Sequence, residues 1–456
     1  MATGITLNNW NGEIEIIPSE RFPASADYQL VYEGKTPIDE LLNYKPKQSY
    51  EKLIAGNHDN LLFYGDNFDV MSHLLENFSL KGKVKLVYID PPYATNSLFI
   101  NKHQKDSYKD DLVGSHYIEF LRKRLVLLRE LLSDDGSIYL HLDSNMVFEA
   151  KIILDEVFGS SNYRGLITRK KCSNKNYTVK TYGNISDFIL FYSKTNNFTW
   201  HRPTLAWTDE KILKEYPCID EATGRRYKKV PVHAPGVRNG ATGKEWRGML
   251  PPPGKHWQFT PDKLEELDRN GDIYWSANGN PRRKVYLDED KGVPVQDIWL
   301  DVQDSLNQNI KTTGYPTEKN PALLDRIIRS CTNKGDVVLD CFAGSGTTCG
   351  TAQHLERRWI GIDSSSEAIA SIFKRLTNNL DDFGDYVSSL KQNGNSDSTQ
   401  SLLFEPIANY EPDAKYTFSF YSDSRFCKSI TDRLSDYLTI TTDFAQQCIG
   451  KSGADE

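Results

Sequence analysis

The chain has 456 residues, 38% hydrophobic and 26% charged, with a formal net charge of −7. That balance suits a soluble protein of about two to four domains, and no run reaches the roughly 18–20 apolar residues of a membrane span. The N-terminal residues lack the basic patch and apolar core of a secretory signal, so a cytoplasmic location without a membrane partner is expected.

The seven cysteines are odd in number, widely spaced and without a CxxC pair, which points away from a disulfide framework and from a metal site. Charge is uneven along the chain. Residues 162–300 hold 24 Lys and Arg against 16 Asp and Glu, although the whole chain carries −7. An acidic body with a basic middle is the distribution that a local nucleic-acid surface has.

Residues 1–56 show little periodicity and read as an irregular N-terminal extension. From residue 57 to 195 the pattern is regular. Leu61 to Tyr64 is a short apolar strand ended by Gly65-Asp66, and Phe68, Met71, Leu74 and Leu75 then fall at helical spacing. Val84 to Ile89 is a second apolar strand, stopped by Asp90-Pro91-Pro92. Two prolines cannot continue a central strand, so the chain must leave the sheet there.

Ser115 is expected to cap a helix with Phe120, Leu121, Leu125, Leu128 and Leu132 on one face and Arg122, Lys123 and Arg129 elsewhere. Asp134-Asp135-Gly136 is a predicted turn, Ser137 to Leu142 a strand, and residues 183–193 one more. Alternating strands and helices imply an α/β domain with a mostly parallel sheet.

Residues 196–302 differ. They contain six of the eight tryptophans (Trp200, Trp207, Trp246, Trp257, Trp275, Trp299), are rich in Gly, Pro and Arg, and keep no helical period. They read as an inserted, loop-rich module. The α/β pattern returns over 303–385, with a helix near 319–332, a strand at Val337 to Asp340, the glycine loop Phe342 to Gly346, a helix opening at Thr347, and a strand ending at Asp363. Residues 386–456 are set apart as a polar linker and a C-terminal appendage.

A strand, a glycine loop and a helix bring a ligand close to backbone. Gly344 and Gly346 remove the Cβ atoms that would block approach, and Asp363 stands about 20 residues on, where a ribose hydroxyl pair is held. The loop lacks the Lys of a phosphate-cradling loop, and Cys349 stands where a full dinucleotide fingerprint would have its last Gly. Taken alone, the loop is either an adenosine-cofactor site or a plain tight turn.

Asp90-Pro91-Pro92-Tyr93 is sharper. An exocyclic amino group on adenine is a poor nucleophile, because its lone pair is delocalised into the ring. Acceptors that hold both amino hydrogens shift it towards a tetrahedral, reactive geometry. The Asp90 carboxylate and the Pro91 carbonyl suit that task, the prolines stiffen the loop, and Tyr93 suits stacking on a base turned out of its helix. Positioning and aimed dipoles supply most of such catalysis.

Asp90-Pro91-Pro92-Tyr93, followed in the chain by Phe342-Ala343-Gly344-Ser345-Gly346-Thr347-Thr348, resembles the amino-group DNA methyltransferases. The order, catalytic loop before cofactor loop with an insertion between, is similar to the β class, which includes the modification subunits of type III restriction systems. Asn60 to Asn67 and Tyr315 to Pro321 also look like that class, and the resemblance covers residues 57–385.

It implies a class-I S-adenosylmethionine-dependent, Rossmann-like α/β fold with circularly permuted motif order. It also implies roles by position. Asp90 would contact the target amino group and the methionine end of S-adenosylmethionine. Phe342, Gly344 and Gly346 would line the cofactor with Thr347 nearby, Asp363 would hold the ribose and Asp66 would reach the adenine. Thr317, Lys319 and Asn320 would close the methionine side, Asn320 departing from the more usual Lys-Pro pairing. Residues 196–302 would be the target-recognition module.

The expected activity is methyl transfer to adenine N6 in duplex DNA with base flipping, in a restriction–modification or related system. Double-stranded DNA is the expected partner, and a cognate restriction subunit and a second copy of the chain are candidates. A cytosine-N4 methyltransferase, an RNA substrate and a non-catalytic DNA-binding subunit stay open, while a dinucleotide oxidoreductase leaves the Asp-Pro-Pro-Tyr loop unexplained. Asp66 also reads as a helix N-cap, and Lys319 as a solvated helix-start residue. The tryptophans of the insertion read as small-core residues before base-stacking ones. Arg225-Arg226, Lys228-Lys229 and Arg282-Arg283-Lys284 read as phosphate contacts or as a solvated face.

Overall fold

The computed structural model describes residues 5–8, 14–17, 30–56, 58–92, 114–172, 180–304, 315, 318–376 and 417–435. They fall into two compact units, one from residues 1–201 with 296–456, the other from 202–295.

The first unit opens with the hairpin β1 (Ile5–Asn8) and β2 (Ile14–Ile17), then α1 (Ile38–Leu42), β3 (Tyr50–Ile54), β4 (Asn60–Tyr64), α2 (Asn67–Asn77), β5 (Val84–Ile89), α3 (Ser115–Leu131), β6 (Leu132–Leu142), α4 (Val147–Phe158), β7 (Tyr163–Lys170) and β8 (Ser186–Ser193). The second unit holds β9 (Thr204–Leu205), α5 (Asp209–Glu215), β10 (Cys218–Ile219), β11 (Arg226–Pro231), β12 (His233–Pro235), β13 (Lys255–Trp257), α6 (Pro261–Arg269), β14 (Ile273–Trp275), β15 (Pro281–Tyr286) and β16 (Val293–Pro294). The chain then returns to the first unit with β17 (Ile298–Trp299), α7 (Pro321–Cys331), β18 (Val337–Asp340), α8 (Thr347–His354), β19 (Arg358–Asp363), α9 (Ser366–Leu376), β20 (Phe418–Asp423) and α10 (Cys427–Arg433).

One ten-stranded sheet runs β17-β7-β8-β6-β5-β18-β19-β4-β20-β3. Its centre, from β6 through β5, β18, β19 and β4 to β20, is parallel. β8 and β3 run against their neighbours. This is the expected Rossmann-like α/β class.

The central strands read as unbroken apolar runs because both faces are covered. Val84, Leu86, Val87 and Ile89 of β5 have no exposed surface. Strands from before and after the second unit are interleaved. β5 pairs with β18 and β4 with β19, so one sheet is knitted from both parts of the chain. No described helix is long and apolar enough to cross a membrane.

Several sequence expectations are corrected. Segments set outside the domain supply strands to its sheet: β3 from residues 1–56 and β20 from residues 386–456. Aromatic packing explains β20, since Tyr421 stacks on Phe63 at 4.8 Å and Phe418 and Phe420 lie against Phe373. Ile38 and Leu41 of α1 join the main core.

Ser115 does not cap α3. It is the first helical residue, and Gly114, with φ 61°, holds the cap position without a side-chain bond. Leu132 begins β6, and the expected turn at 134–136 is a bulge inside that strand, between the pairs Val84–Leu132 and Leu86–Ser137. Arg122 is fully buried, because Glu156 accepts from its Nε at 2.9 Å and the Thr36 carbonyl from its Nη1 at 2.9 Å. A buried guanidinium needs this satisfaction.

The second unit has its own small core of Val232, Trp246, Trp257, Leu264 and Ile273. A four-stranded antiparallel sheet, β10-β11-β15-β14, covers it, and the pair β9–β16 joins its two ends. Trp246 and Trp257 are core residues here. Trp299, in the first unit, is also buried, whereas Trp200 is 46% exposed.

Candidate active site

The geometry begins with four parallel strands whose carboxyl ends lie side by side: β5, β18, β19 and β4. Such ends are where open α/β sheets bind ligands. Asp90 leaves β5, the glycine loop leaves β18, Asp363 ends β19 and Asp66 follows β4. Neighbouring strands are about 4.8 Å apart. Register therefore brings the Asp-Pro-Pro loop and the glycine loop together although one precedes and the other follows the second unit.

The glycine loop is built for close approach. Gly344 has φ 50° and Gly346 φ 73°, both left-handed. A Cβ on Gly346 would sit 2.8 Å from Ile372 Cγ1. Asp340 braces the loop from below, accepting from Phe342 N at 3.0 Å and Thr348 Oγ1 at 2.6 Å. Burial, first, pushes its carboxyl up to about 7, and the charges of Asp90 and Asp363 add to this. Asp363 accepts from Gly344 N and Ser365 N, each at 2.8 Å. Burial raises its pKa too, against the backbone hydrogen bonds. Each Asp363 oxygen keeps a lone pair beyond these bonds. Arg375 donates to Ser345 O at 2.8 Å and pairs with Glu318.

Asp90 Oδ2 lies 2.9 Å from Lys319 Nζ, with only 20% and 12% of the two side chains exposed. Pro91 is buried and Pro92 exposed. Thr347 Oγ1 reaches Ser345 Oγ at 3.0 Å and donates to Lys319 O at 3.4 Å, tying the segment before α7 to the loop. Asn320 is 2% exposed. It caps α7 by accepting from Ala322 N and donates to Gln303 O, each at 2.9 Å. Both ends of its amide therefore have structural partners.

Asp66 caps α2, its Oδ1 accepting from Phe68 N at 2.9 Å and Asp69 N at 3.2 Å, while Oδ2 accepts from Arg124 at 3.1 Å. The helix-cap reading of Asp66 is therefore present in the structure. Phe342 lies 6.0 Å from the Phe120 ring, and Arg124 stacks 3.6 Å from the same ring. Tyr93 and Thr317 lie outside the described residues.

Sequence reasoning missed several contributors. Asn67 donates to Cys341 O at 2.7 Å and accepts from Arg124 Nε, which locks the β4–α2 corner to the glycine loop. Tyr315 lies over Gly344, 3.5 Å from where a Cβ would stand, and burial, first, moves its hydroxyl up to about 12. Tyr315 and Asn67 lay within segments that resemble the family, without a role assigned to either; Arg124 comes from a segment that no spacing rule connects to them.

Beneath Asp90 runs a buried polar row drawn from four strands. Tyr88 Oη lies 2.7 Å from His141 Nδ1, and His141 Nε2 lies 2.9 Å from Asp187. Arg169 holds Asp187 through both carboxylate oxygens and donates to Val302 O at 3.0 Å and Asp304 at 2.9 Å. Burial alone raises the Asp187 carboxyl, but His141 and Arg169 outweigh it and hold it well below the usual range. Burial lowers His141. The row pins the stretch after β17 to the sheet.

The basic runs of the second unit divide by strand alternation. Lys229 faces Lys284 and Tyr227 faces Tyr286, so these share one face with Arg282 and Tyr274. Lys228 and Arg283 take the other face, where Arg283 lies 5.2 Å from the Phe259 ring beside the core.

Residues 84–374 match the DNA methylase family of N6/N4 type. The chain belongs to that family. A type II methyltransferase of Enterobacter cloacae, M.EcaI, is 47% identical over 376 residues, 80% of this chain and 81% of that protein. The StyLTI Mod subunit of a type III restriction–modification enzyme from Salmonella typhimurium is 28% identical over 381 residues, 71% of this chain and 55% of that protein. Against this Mod subunit the chain spans little more than half the length. Among solved structures, the cytosine-N4-specific PvuII DNA methyltransferase aligns at TM-score 0.40 and 13% identity over 71% of this chain and 90% of that one.

The methylase is an enzyme with S-adenosylmethionine as its methyl donor. The residues present fit that cofactor. The two left-handed glycines leave a cradle without Cβ atoms, and the Asp90–Lys319 pair offers opposite charges to a zwitterionic amino-acid end.

Proposed function

We propose that this methylase transfers a methyl group to the N6 amino group of adenine in duplex DNA, as the modification enzyme of a restriction–modification system. The observation that carries the reading is the adjacency of Asp90, at the end of β5, to the glycine loop of β18, with Lys319 at 2.9 Å from the carboxylate. S-adenosylmethionine, when bound, supplies an electrophilic methyl group.

The chain's own residues do the rest. The Asp90 carboxylate and the Pro91 carbonyl accept the two amino hydrogens, which draws the nitrogen towards a tetrahedral geometry. Pro91 and Pro92 hold that carbonyl still, and Tyr93 stacks on the extruded base. Phe342, Gly344, Gly346 and Thr347 line the cofactor. Asp363 accepts from ribose hydroxyls with the lone pairs left by Gly344 and Ser365, and Asp66 faces the adenine. Lys319, with Thr317 and Asn320 beside it, takes the methionine carboxylate. As N6 gains a carbon and the carbon–sulfur bond breaks, the surplus proton on N6 leaves to water past Asp90.

The names of the relatives, type II methyltransferase and type III Mod subunit, support a role in restriction–modification, with a cognate restriction subunit as a partner. A second copy of the chain is a further proposed partner, decided by light scattering. The choice of adenine rests on Asp at the first loop position; the N6/N4 family also contains enzymes acting on cytosine.

Nucleoside mass spectrometry of duplex DNA treated with the purified protein and S-adenosylmethionine is expected to show N6-methyladenine. N4-methylcytosine would replace the base assignment. Asp90→Ala is expected to lower transfer by at least about 100-fold while DNA binding persists. Full transfer in that variant would overturn the mechanism.

A further inference from the structure

The second unit contains a loop built in two contrasting parts. β12 and β13 form a short two-stranded ribbon, with His233 opposite Trp257 and Pro235 opposite Lys255. Residues 236–254 leave and return at its end. The neck is closed by Gly236 N donating to Gly254 O at 2.9 Å, and His256 Nδ1 lies 2.7 Å from Gly236 O.

The returning part is anchored in the core. Trp246 is buried, its backbone pairs both ways with Met249 at 2.9 Å, and Trp257 Nε1 donates to Lys244 O at 2.9 Å. Arg247 is fixed to Glu265 and to Asp268, each at 2.6 Å.

The outgoing part is different. Gly240 accepts from Gly243 N at 2.9 Å, and a Cβ on Gly243 would fall 1.8 Å from Arg238 O, so the backbone here is wound tightly on itself. Out of this turn project Val237, 73% exposed, and Arg238 and Asn239, both exposed. Neither the Arg238 guanidinium nor the Asn239 amide makes a hydrogen bond or ion pair among the described residues. A tightly turned backbone here presents an arginine and an asparagine whose polar ends are left to solvent. It keeps ordering costs low when those groups meet a ligand.

The chemistry of the pair names that ligand. Arginine forks onto guanine O6 and N7, and asparagine onto adenine N6 and N7. The major groove admits a two-stranded ribbon. The base of the ribbon is electropositive as well. Burial, and then the neighbouring charges of Lys255 and Arg282, keep His233 below its ordinary pKa.

We propose that this tip reads base edges in the major groove of duplex DNA, with Arg238 and Asn239 as specificity-determining side chains. The inference rests on the DNA-methylating function proposed above, and it places sequence readout on two residues rather than on the whole module.

The test uses the full chain, S-adenosylmethionine and a randomised duplex library, with methylated sites read by methylation-aware sequencing. The wild type is expected to yield one defined site. Arg238→Ala and Asn239→Ala are each expected to lose roughly 10- to 100-fold of discrimination at one base pair of that site and to keep it elsewhere. Arg247→Ala, the paired arginine, is expected to lower Tm and leave the consensus as it was. An unchanged consensus in both tip variants overturns the inference. So does an even loss over all sequences with a shallower salt dependence, which is the signature of a phosphate contact. A wild type that methylates nothing overturns the proposed function itself, an outcome distinct from the other two.

Discussion

The two units of this methylase differ in how they hold polar groups. In the first unit they are drawn inward and cancelled: Arg169, Asp187 and His141 are buried within one row, and Arg375 lies against Glu318. In the second they lie nearer the surface: Arg282 is exposed and Lys229 partly so, while Lys284 is held by Asp220 at 2.9 Å. Lys229, Lys284, Arg282 and three tyrosines share one face of a four-stranded sheet, with Lys229 lying 3.5 Å from the Tyr274 ring. Buried pairs hold a site in one geometry, because breaking one leaves an uncompensated charge. A cation packed on an aromatic ring near the surface, as Lys229 is on Tyr274, holds less. The difference teaches that the unit holding the proposed site is fixed by buried pairs, whereas the second unit keeps part of its charge near solvent.

The largest effect that would sharpen this contrast is expected from Trp257→Ala. It empties the small core and removes the bond to Lys244 O, and a core Trp→Ala change costs about 3–5 kcal/mol. Calorimetry should then show loss of DNA binding while S-adenosylhomocysteine binding stays within about twofold. Equal loss of both would mean that the units are not energetically separate.

Gly346→Ala acts on the other side. The left-handed φ of 73° and the Ile372 contact predict a cost of about 1–3 kcal/mol, read as weaker S-adenosylhomocysteine binding with DNA binding retained.

The last effect, read as a slope and not as a loss of binding, is expected from Asp340→Asn. The folded carboxyl titrates near 7 against 3.8 for a free one, so the folded state holds the proton longer. Its contribution is fully present below the free value and is lost as pH rises through the folded one. Wild-type Tm should therefore fall from this group between pH 4 and 7, and the variant should flatten that slope. An unchanged slope would show that Asp340 is not the titrating group.

Much of this was legible in the sequence, and for definite reasons. β4, β5, β18 and β19 are buried on both faces, so each appears as an unbroken apolar run with a stop signal. Asp90 and the glycine loop stand at those stops. What was not legible depends on long-range pairing. β3 and β20 are sheet strands only because they meet each other and β4, and nothing local in Phe418 to Asp423 marks it as inside the domain. Arg122 was set on the polar side of α3 by its charge, yet Glu156 and Thr36 bury it. The alternation of Lys228 and Lys229 between the two faces of β11 needs the register with β15, which no run of basic residues discloses.

The interleaving of strands has a consequence for biosynthesis. Asn67 and the Cys341 carbonyl it holds are 274 positions apart, and the partner of β5 on that side, β18, emerges from the ribosome only after the whole second unit. Until then β5 carries an open edge of unpaired backbone, a template for wrong pairing. The second unit, local in its contacts, can finish folding first. The first unit therefore waits on the nascent chain after the second is complete, and any slowing of translation between residues 296 and 363 lengthens the interval in which that edge stays open.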